Sequence, residues 1–197
     1  MKFNPDIYHR RSIRLKNYDY SQDGAYFITI CCRDKECLLG KIDNGKMQLN
    51  ECGEIVGKCW EELSQRFPEI QLEQFIIMPN HIHAIIMIND FNVGVGLALP
   101  SDTIPMVISE MSEGRASPAP TNNGKYETIG DIVCVLKSIS AIKINKYLNC
   151  SGVPVWQRNY YEHIIRNEEE LNRVREYINN NPFKWNSDED NPINAKY

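Results

Sequence analysis

Met78-Pro79-Asn80-His81-Ile82-His83, running on into Ala84-Ile85-Ile86-Met87-Ile88, is the stretch on which the reading of this chain turns. Its β-branched, apolar second half has the length and composition of a buried strand. Pro79-Asn80 is turn chemistry, and Phe75 to Met78 reads as the strand before that turn. The two histidines therefore fall just after a reversal, near a sheet edge or mouth. Side chains alternate along a strand, so His81 and His83 share one face. Two imidazoles on one face can hold one divalent ion and leave its other positions open. The competing explanation is structural, with both histidines satisfied or half-exposed in ordinary roles.

Outward from this hairpin, strands and helices alternate. Ala25 to Cys32 is aromatic and β-branched and reads as a strand. Cys37 to Ile42 reads as another, with Asp43-Asn44-Gly45 as turn chemistry before Lys46-Met47-Gln48-Leu49. Ile55, Cys59, Trp60 and Leu63 recur at helical spacing and end near Arg66-Phe67-Pro68. Ile129, Ile132, Val133, Leu136 and Ile139 mark an amphipathic helix to about Leu148, with Lys137, Lys143 and Lys146 on its other side. That cationic face suits phosphates or is simply solvated. Asn167 caps a last helix whose first turn holds Glu168, Glu169 and Glu170, where the dipole favours anions. Glu170 has capping-box spacing from Asn167. Leu171, Val174 and Ile178 form the buried stripe of this helix, Tyr177 lies beside it, and Pro182 is expected to end it.

This order is α+β: a mainly antiparallel sheet covered on one face by helices, the other face left for a ligand. At 197 residues and 42% hydrophobic content the chain suits a single domain with a proper core. Gly, Pro, Ser, Asn and Thr cluster over 91–127, which reads as a flexible insertion. No apolar run reaches 18 residues and no apolar leader opens the chain, so the expectation is a cytoplasmic protein with no membrane contact. Seven cysteines without a Cys-x-x-Cys pair fit reduced thiols.

The net charge of −4 does not advertise nucleic-acid binding, and its distribution is more informative. Residues 1–48 carry nine Lys and Arg against six Asp and Glu, and residues 49–100 carry two against seven. His9-Arg10-Arg11-Ser12-Ile13-Arg14-Leu15-Lys16 is a compact basic arm. It suits phosphate contacts, or is a solvated terminus.

Three separated blocks carry a family resemblance. Met78-Pro79-Asn80-His81-Ile82-His83 resembles the His-hydrophobe-His motif of the single-tyrosine HUH transposases (the IS200-like group). Val155 to Arg166 and Arg175-Glu176-Tyr177-Ile178-Asn179-Asn180-Asn181-Pro182 resemble the downstream blocks of their REP-associated tyrosine transposase branch. His9 to Arg14 and Gly24 to Thr29 are similar to that branch as well. The resemblance covers nearly the whole chain apart from 91–127 and the acidic tail near Ser187-Asp188-Glu189-Asp190.

The resemblance implies a ferredoxin-like, RRM-related fold and an enzyme that cuts and rejoins single-stranded or hairpin-forming DNA with Mg²⁺ or Mn²⁺. It implies Tyr177 as nucleophile, His81 and His83 as metal ligands, and Asn181 as a third polar ligand. Asn181 shares a face with Tyr177 only if the helix reaches it, and a residue before proline is biased out of the helical region. Arg10, Arg11, Arg14, Lys137 and Arg158 are candidate DNA contacts. Trp156 is a candidate for base stacking, and His163 for orienting a group of the site. Spacing alone does not prefer Tyr177, because Tyr160 and Tyr161 stand two or three residues from His163. Two other readings compete: a non-catalytic nucleic-acid-binding module on the same fold, and a zinc site using Cys31 or Cys32. Monomer and homodimer are both open.

Overall fold

A computed structural model describes residues 24–88, 128–188 and 190–194. The basic arm with Arg10, Arg11 and Arg14 and the 91–127 segment lie outside the described residues. In chain order the strands are β1 (Gly24–Cys31), β2 (Gly40–Asp43), β3 (Lys46–Leu49), β4 (Ile70–Ile77), β5 (His81–Ile88) and β6 (Tyr161–Ile165). The helices are α1 (Glu51–Glu61), α2 (Leu63–Arg66), α3 (Ile129–Tyr147) and α4 (Glu168–Lys184).

Four strands make one antiparallel sheet in the order β4-β5-β1-β6. With α1 between β1 and β4 and α3 between β5 and β6, this is the expected ferredoxin-like α+β arrangement. The predicted hairpin is the β4–β5 pair, although β4 starts at Ile70, earlier than Phe75. A register shift between Leu72 and Gln74 leaves Glu73 out of the ladder. The sequence reading assigned no strand to β6, although its Tyr-Glu-His-Ile-Ile run has strand character. β2 and β3 form a separate hairpin closed at Asn44 and Gly45, both at positive φ, as its two-residue turn requires.

Alternation divides the core. Tyr26, Ile28 and Ile30 of β1 and Ile82, Ala84 and Ile86 of β5 are fully buried with Val56 and Cys59 of α1 and Ile132, Val133 and Leu136 of α3. The opposite face carries Phe27, Ile85 and Ile165, which pack with Leu171 and Ile178 of α4. The α1–α3 pair thus covers one face as expected, and α4 crosses the face that the sequence reading left for a ligand. Burying Leu171 and Ile178 contributes roughly 1.5–3 kcal/mol each. Polar contacts join the same helix to β4, where Arg175 pairs with Glu73 and Gln74 donates to Asn179.

The expectation that Pro182 ends α4 is corrected. The helix runs through Pro182 to Lys184. Asn181 and Trp185 are buried and continue the stripe of Ile178 at spacings of three and seven. Their packing holds the last turn helical despite the missing N–H. No helix among the described residues is long and apolar enough to cross a membrane.

Candidate active site at the histidine pair

β5 carries His81 and His83 on the α4 face, where they are 0% and 2% exposed. Cys31 stands opposite His81 and Thr29 opposite His83 in the β1 register. His83 Nδ1 meets Thr29 Oγ1 at 2.8 Å, and His81 Nδ1 meets Asn80 Oδ1 at 2.8 Å. The two Nε2 atoms face each other at 3.1 Å. Phe27 stacks on His83 with centroids 5.4 Å apart. Burial lowers the pKa of His81, against opposing pulls from Asp190 and Asp188. Burial, then the neighbouring His81, puts His83 well below the usual value of 6.5. Both rings are thereby kept neutral, the form that ligates metal.

α4 supplies the remaining groups at one-turn spacing. Tyr177 Oη lies 3.5 Å from His83 Nε2 and its ring meets His83 edge-on at 5.2 Å. Trp185 lies 6.1 Å from the His81 ring. Asn181 stands between these two on the same helical stripe, and its buried Oδ1 has no hydrogen-bond partner. Because the helix continues to residue 181, the condition attached to the Asn181 assignment is met. The two Nε2 atoms are close enough that both would reach one divalent ion. An orphaned buried amide oxygen one helical turn from Tyr177 is a donor type that, together with imidazoles, suits a divalent cation. No group of three His, Cys, Asp or Glu suited to a metal occurs among the described residues. The cysteine-based zinc site is not supported. Cys32 is buried with the opposite core cluster, and neither it nor Cys31 belongs to a group of three His, Cys, Asp or Glu suited to a metal among the described residues.

An open groove of about 560 Å³ leads to His83, lined by Phe27, Thr29, Tyr160, Tyr161 and Tyr177, among others. Tyr177 is 44% and Tyr161 51% exposed. The Tyr160 hydroxyl instead donates to Glu162 Oε2 at 2.7 Å. Of the three candidate tyrosines, Tyr177 is the one whose oxygen meets a histidine of the pair.

The outer candidates sit differently from their sequence-based expectation. Lys137 donates to the carbonyls of Gln157, Arg158 and Asn159 at 2.6, 3.2 and 3.3 Å, and burial lowers its pKa. Its ammonium thus fixes a loop of the groove wall. Lys143 pairs with Glu62. Arg158 is exposed and lines a neighbouring cleft with Arg33 and Trp156, and Gln157 belongs to both cavities. Trp156 is packed, with its indole N–H donating to Ser140 Oγ at 2.9 Å. His163 is tied to Glu170 at 2.8 Å, joining β6 to the start of α4. Sequence reasoning missed Thr29, Phe27 and Asn80 as site residues. Asn80 stands directly beside His81, but its type and its place after proline read as a turn residue.

No family model matches the chain. An uncharacterised protein of Haemophilus influenzae is 45% identical over 188 residues, 95% of this chain and 96% of the relative. The two belong to one family. A second Haemophilus influenzae protein, provisionally named a REP-associated tyrosine transposase, is 23% identical over 175 residues, 86% of this chain and 77% of the relative. A solved structure of a REP-associated tyrosine transposase bound to a REP hairpin superposes with a TM-score of 0.53 at 15% identity. That match covers 88% of this chain and 74% of the other. The fold is that of the REP-associated tyrosine transposases, the group to which the sequence motifs pointed.

Proposed function

We propose that this protein is a metal-dependent single-stranded DNA endonuclease and strand transferase, acting on hairpin-forming DNA through a covalent 5′-phosphotyrosine intermediate at Tyr177. The observation that carries the reading is a buried histidine pair met by the half-exposed phenol of Tyr177, with the unpartnered amide oxygen of Asn181 one turn along the same helix. The hairpin bound by the structural relative supports the choice of substrate.

His81, His83 and Asn181 would hold Mg²⁺ or Mn²⁺, which when bound polarises a phosphate oxygen and offsets developing negative charge. The aromatic wall of Phe27 and Tyr161 positions the strand in the groove. A phenol must lose its proton to attack phosphorus, and the half-exposure of Tyr177 lets that proton leave to water. The phenolic oxygen forms a bond to phosphorus as the bond to the 3′ oxygen breaks, and that oxygen departs as a 3′-hydroxyl. The phosphotyrosine link retains the energy of the broken ester. A second 3′-hydroxyl then reverses the step and rejoins DNA without ATP.

The test is incubation of the full chain with a labelled single-stranded hairpin and Mn²⁺, followed by denaturing electrophoresis and peptide mapping. A denaturant-resistant adduct at Tyr177 is expected. An adduct at Tyr161 would keep the reaction and move the nucleophile. DNA binding with no adduct on any hairpin would replace the enzyme by a binding module.

A further inference from the structure

We propose that Asn80 is a positioning residue that locks His81 as its Nδ1–H tautomer, while Thr29 leaves His83 free to exchange tautomers when a metal arrives. The consequence for metal rests on the functional reading above, but the tautomers belong to the metal-free protein.

Asn80 is fully buried, and its surroundings fix its orientation. One side-chain atom lies 3.0 Å from Lys35 O and 2.7 Å from Asp190 O. Carbonyls only accept, so this atom is the amide nitrogen. The other atom, 2.8 Å from His81 Nδ1, is then the oxygen, which also only accepts. His81 Nδ1 must therefore carry the proton. A neutral imidazole has one such proton, so Nε2 of His81 presents a bare lone pair.

That lone pair faces His83 Nε2 at 3.1 Å. Two bare nitrogens at this distance would repel, so in the metal-free protein His83 carries its proton on Nε2 and donates it to His81. Its Nδ1 then accepts from the Thr29 hydroxyl at 2.8 Å. A hydroxyl both donates and accepts. Were both Nε2 lone pairs engaged by a bound ion, the His83 proton would be exchanged through solvent from Nε2 to Nδ1, and Thr29 would turn to accept it. The proton count is unchanged.

The lock is built from segments remote in sequence. Lys35 follows β1 in a loop where Asp34 and Lys35 adopt φ of 54° and 55°. Asp190 lies beyond α4, and its carboxylate also pairs with Lys35 Nζ at 3.0 Å. The acidic tail that the family resemblance left out thus reaches the site through Asn80.

The test is imidazole ¹⁵N–¹H correlation spectroscopy on the full metal-free chain at pH 8, repeated with Zn²⁺ as a diamagnetic probe. Expected is His81 protonated at Nδ1 throughout, with His83 moving from Nε2–H to Nδ1–H on adding Zn²⁺. A wild-type His81 protonated at Nε2 would overturn the proposal without recourse to any variant. Asn80→Asp keeps the acceptor and loses both donors, whereas Asn80→Ala loses all three. His81 should hold its tautomer in the first and lose it in the second, with Mn²⁺ affinity of the second down about 10–100-fold. Equal loss in both variants would mean that Asn80 only ties the loop to the tail, and the lock would be rejected. If Zn²⁺ and Mn²⁺ fail to bind while His81 keeps Nδ1–H, the metal reading fails and the lock stands.

Discussion

Tyr177 and Asn181 stand one helical turn apart and should fail in different ways. Tyr177→Phe keeps the ring that packs edge-on against Phe27 and His83 and removes the oxygen 3.5 Å from His83. At a half-exposed site the stability change should stay within about 0.5 kcal/mol in urea denaturation, while adduct formation is lost. A folded Tyr177→Phe protein that still forms adduct would remove Tyr177 from the reaction. Asn181 presents the opposite case. A buried carbonyl without a partner costs about 1–3 kcal/mol in lost solvation. Asn181→Leu should leave the metal-free protein as stable or stabilise it by about 1 kcal/mol, while weakening Mn²⁺ binding measured by calorimetry. Unchanged Mn²⁺ affinity would show that the amide is not a ligand.

At the scale of the element, α4 matters most, because its placement brings Tyr177 to the histidines. Its N-terminus is tied down twice. Asn167 Oδ1 accepts from Glu170 N at 2.8 Å, and the Glu170 carboxylate accepts from Arg166 N at 2.8 Å while meeting His163. The glutamate thus reaches one residue further back than a capping box would take it. The Arg166 N–H, then His163, holds the Glu170 carboxyl below its ordinary value of 4.5. A depressed folded pKa means a stabilisation present above the unfolded value and lost as pH falls through the folded one. The stability gap between wild type and Glu170→Gln should be full at neutral pH and close as pH falls below 4.5 through the depressed folded value, by chemical denaturation across pH. A gap independent of pH would show that the carboxylate charge contributes nothing to the tie.

For the whole molecule, the issue is how an acidic chain of net charge −4 would hold DNA. Lys137 and Lys143 are engaged within the protein, by three carbonyls and by Glu62. Arg158, in the cleft beside the groove, and the basic arm before β1 are cationic groups expected to meet phosphates. Replacing Arg10, Arg11 and Arg14 together by alanine should weaken hairpin binding and flatten the slope of log affinity against log salt. The slope should change by about one unit for each phosphate that is no longer neutralised. Fluorescence anisotropy across salt concentrations reads this directly. A slope equal to wild type would make the arm a solvated terminus.

Local chemistry was enough to place much of this protein. Alternation in His81-Ile82-His83 put both imidazoles on one face, the Asp43-Asn44-Gly45 turn closed the β2–β3 hairpin, and Leu171, Val174 and Ile178 marked the buried stripe of α4. Each rests on a period of two or 3.6 residues or on turn stereochemistry, which a short window of sequence contains. What lay beyond reach depends on pairings between distant segments. Thr29 meets His83 because β1 pairs with β5 in one register. Asn80 orients His81 because Lys35 and Asp190 converge on its amide. The choice between Tyr160 and Tyr177 follows from the docking of α4 and a hydrogen bond to Glu162. Proline's local rule predicted a helix end at Pro182, and burial of Asn181 and Trp185 against the site overrode it. Local rules weigh one backbone bond, whereas the folded protein weighs that bond against the packing of a whole helical turn.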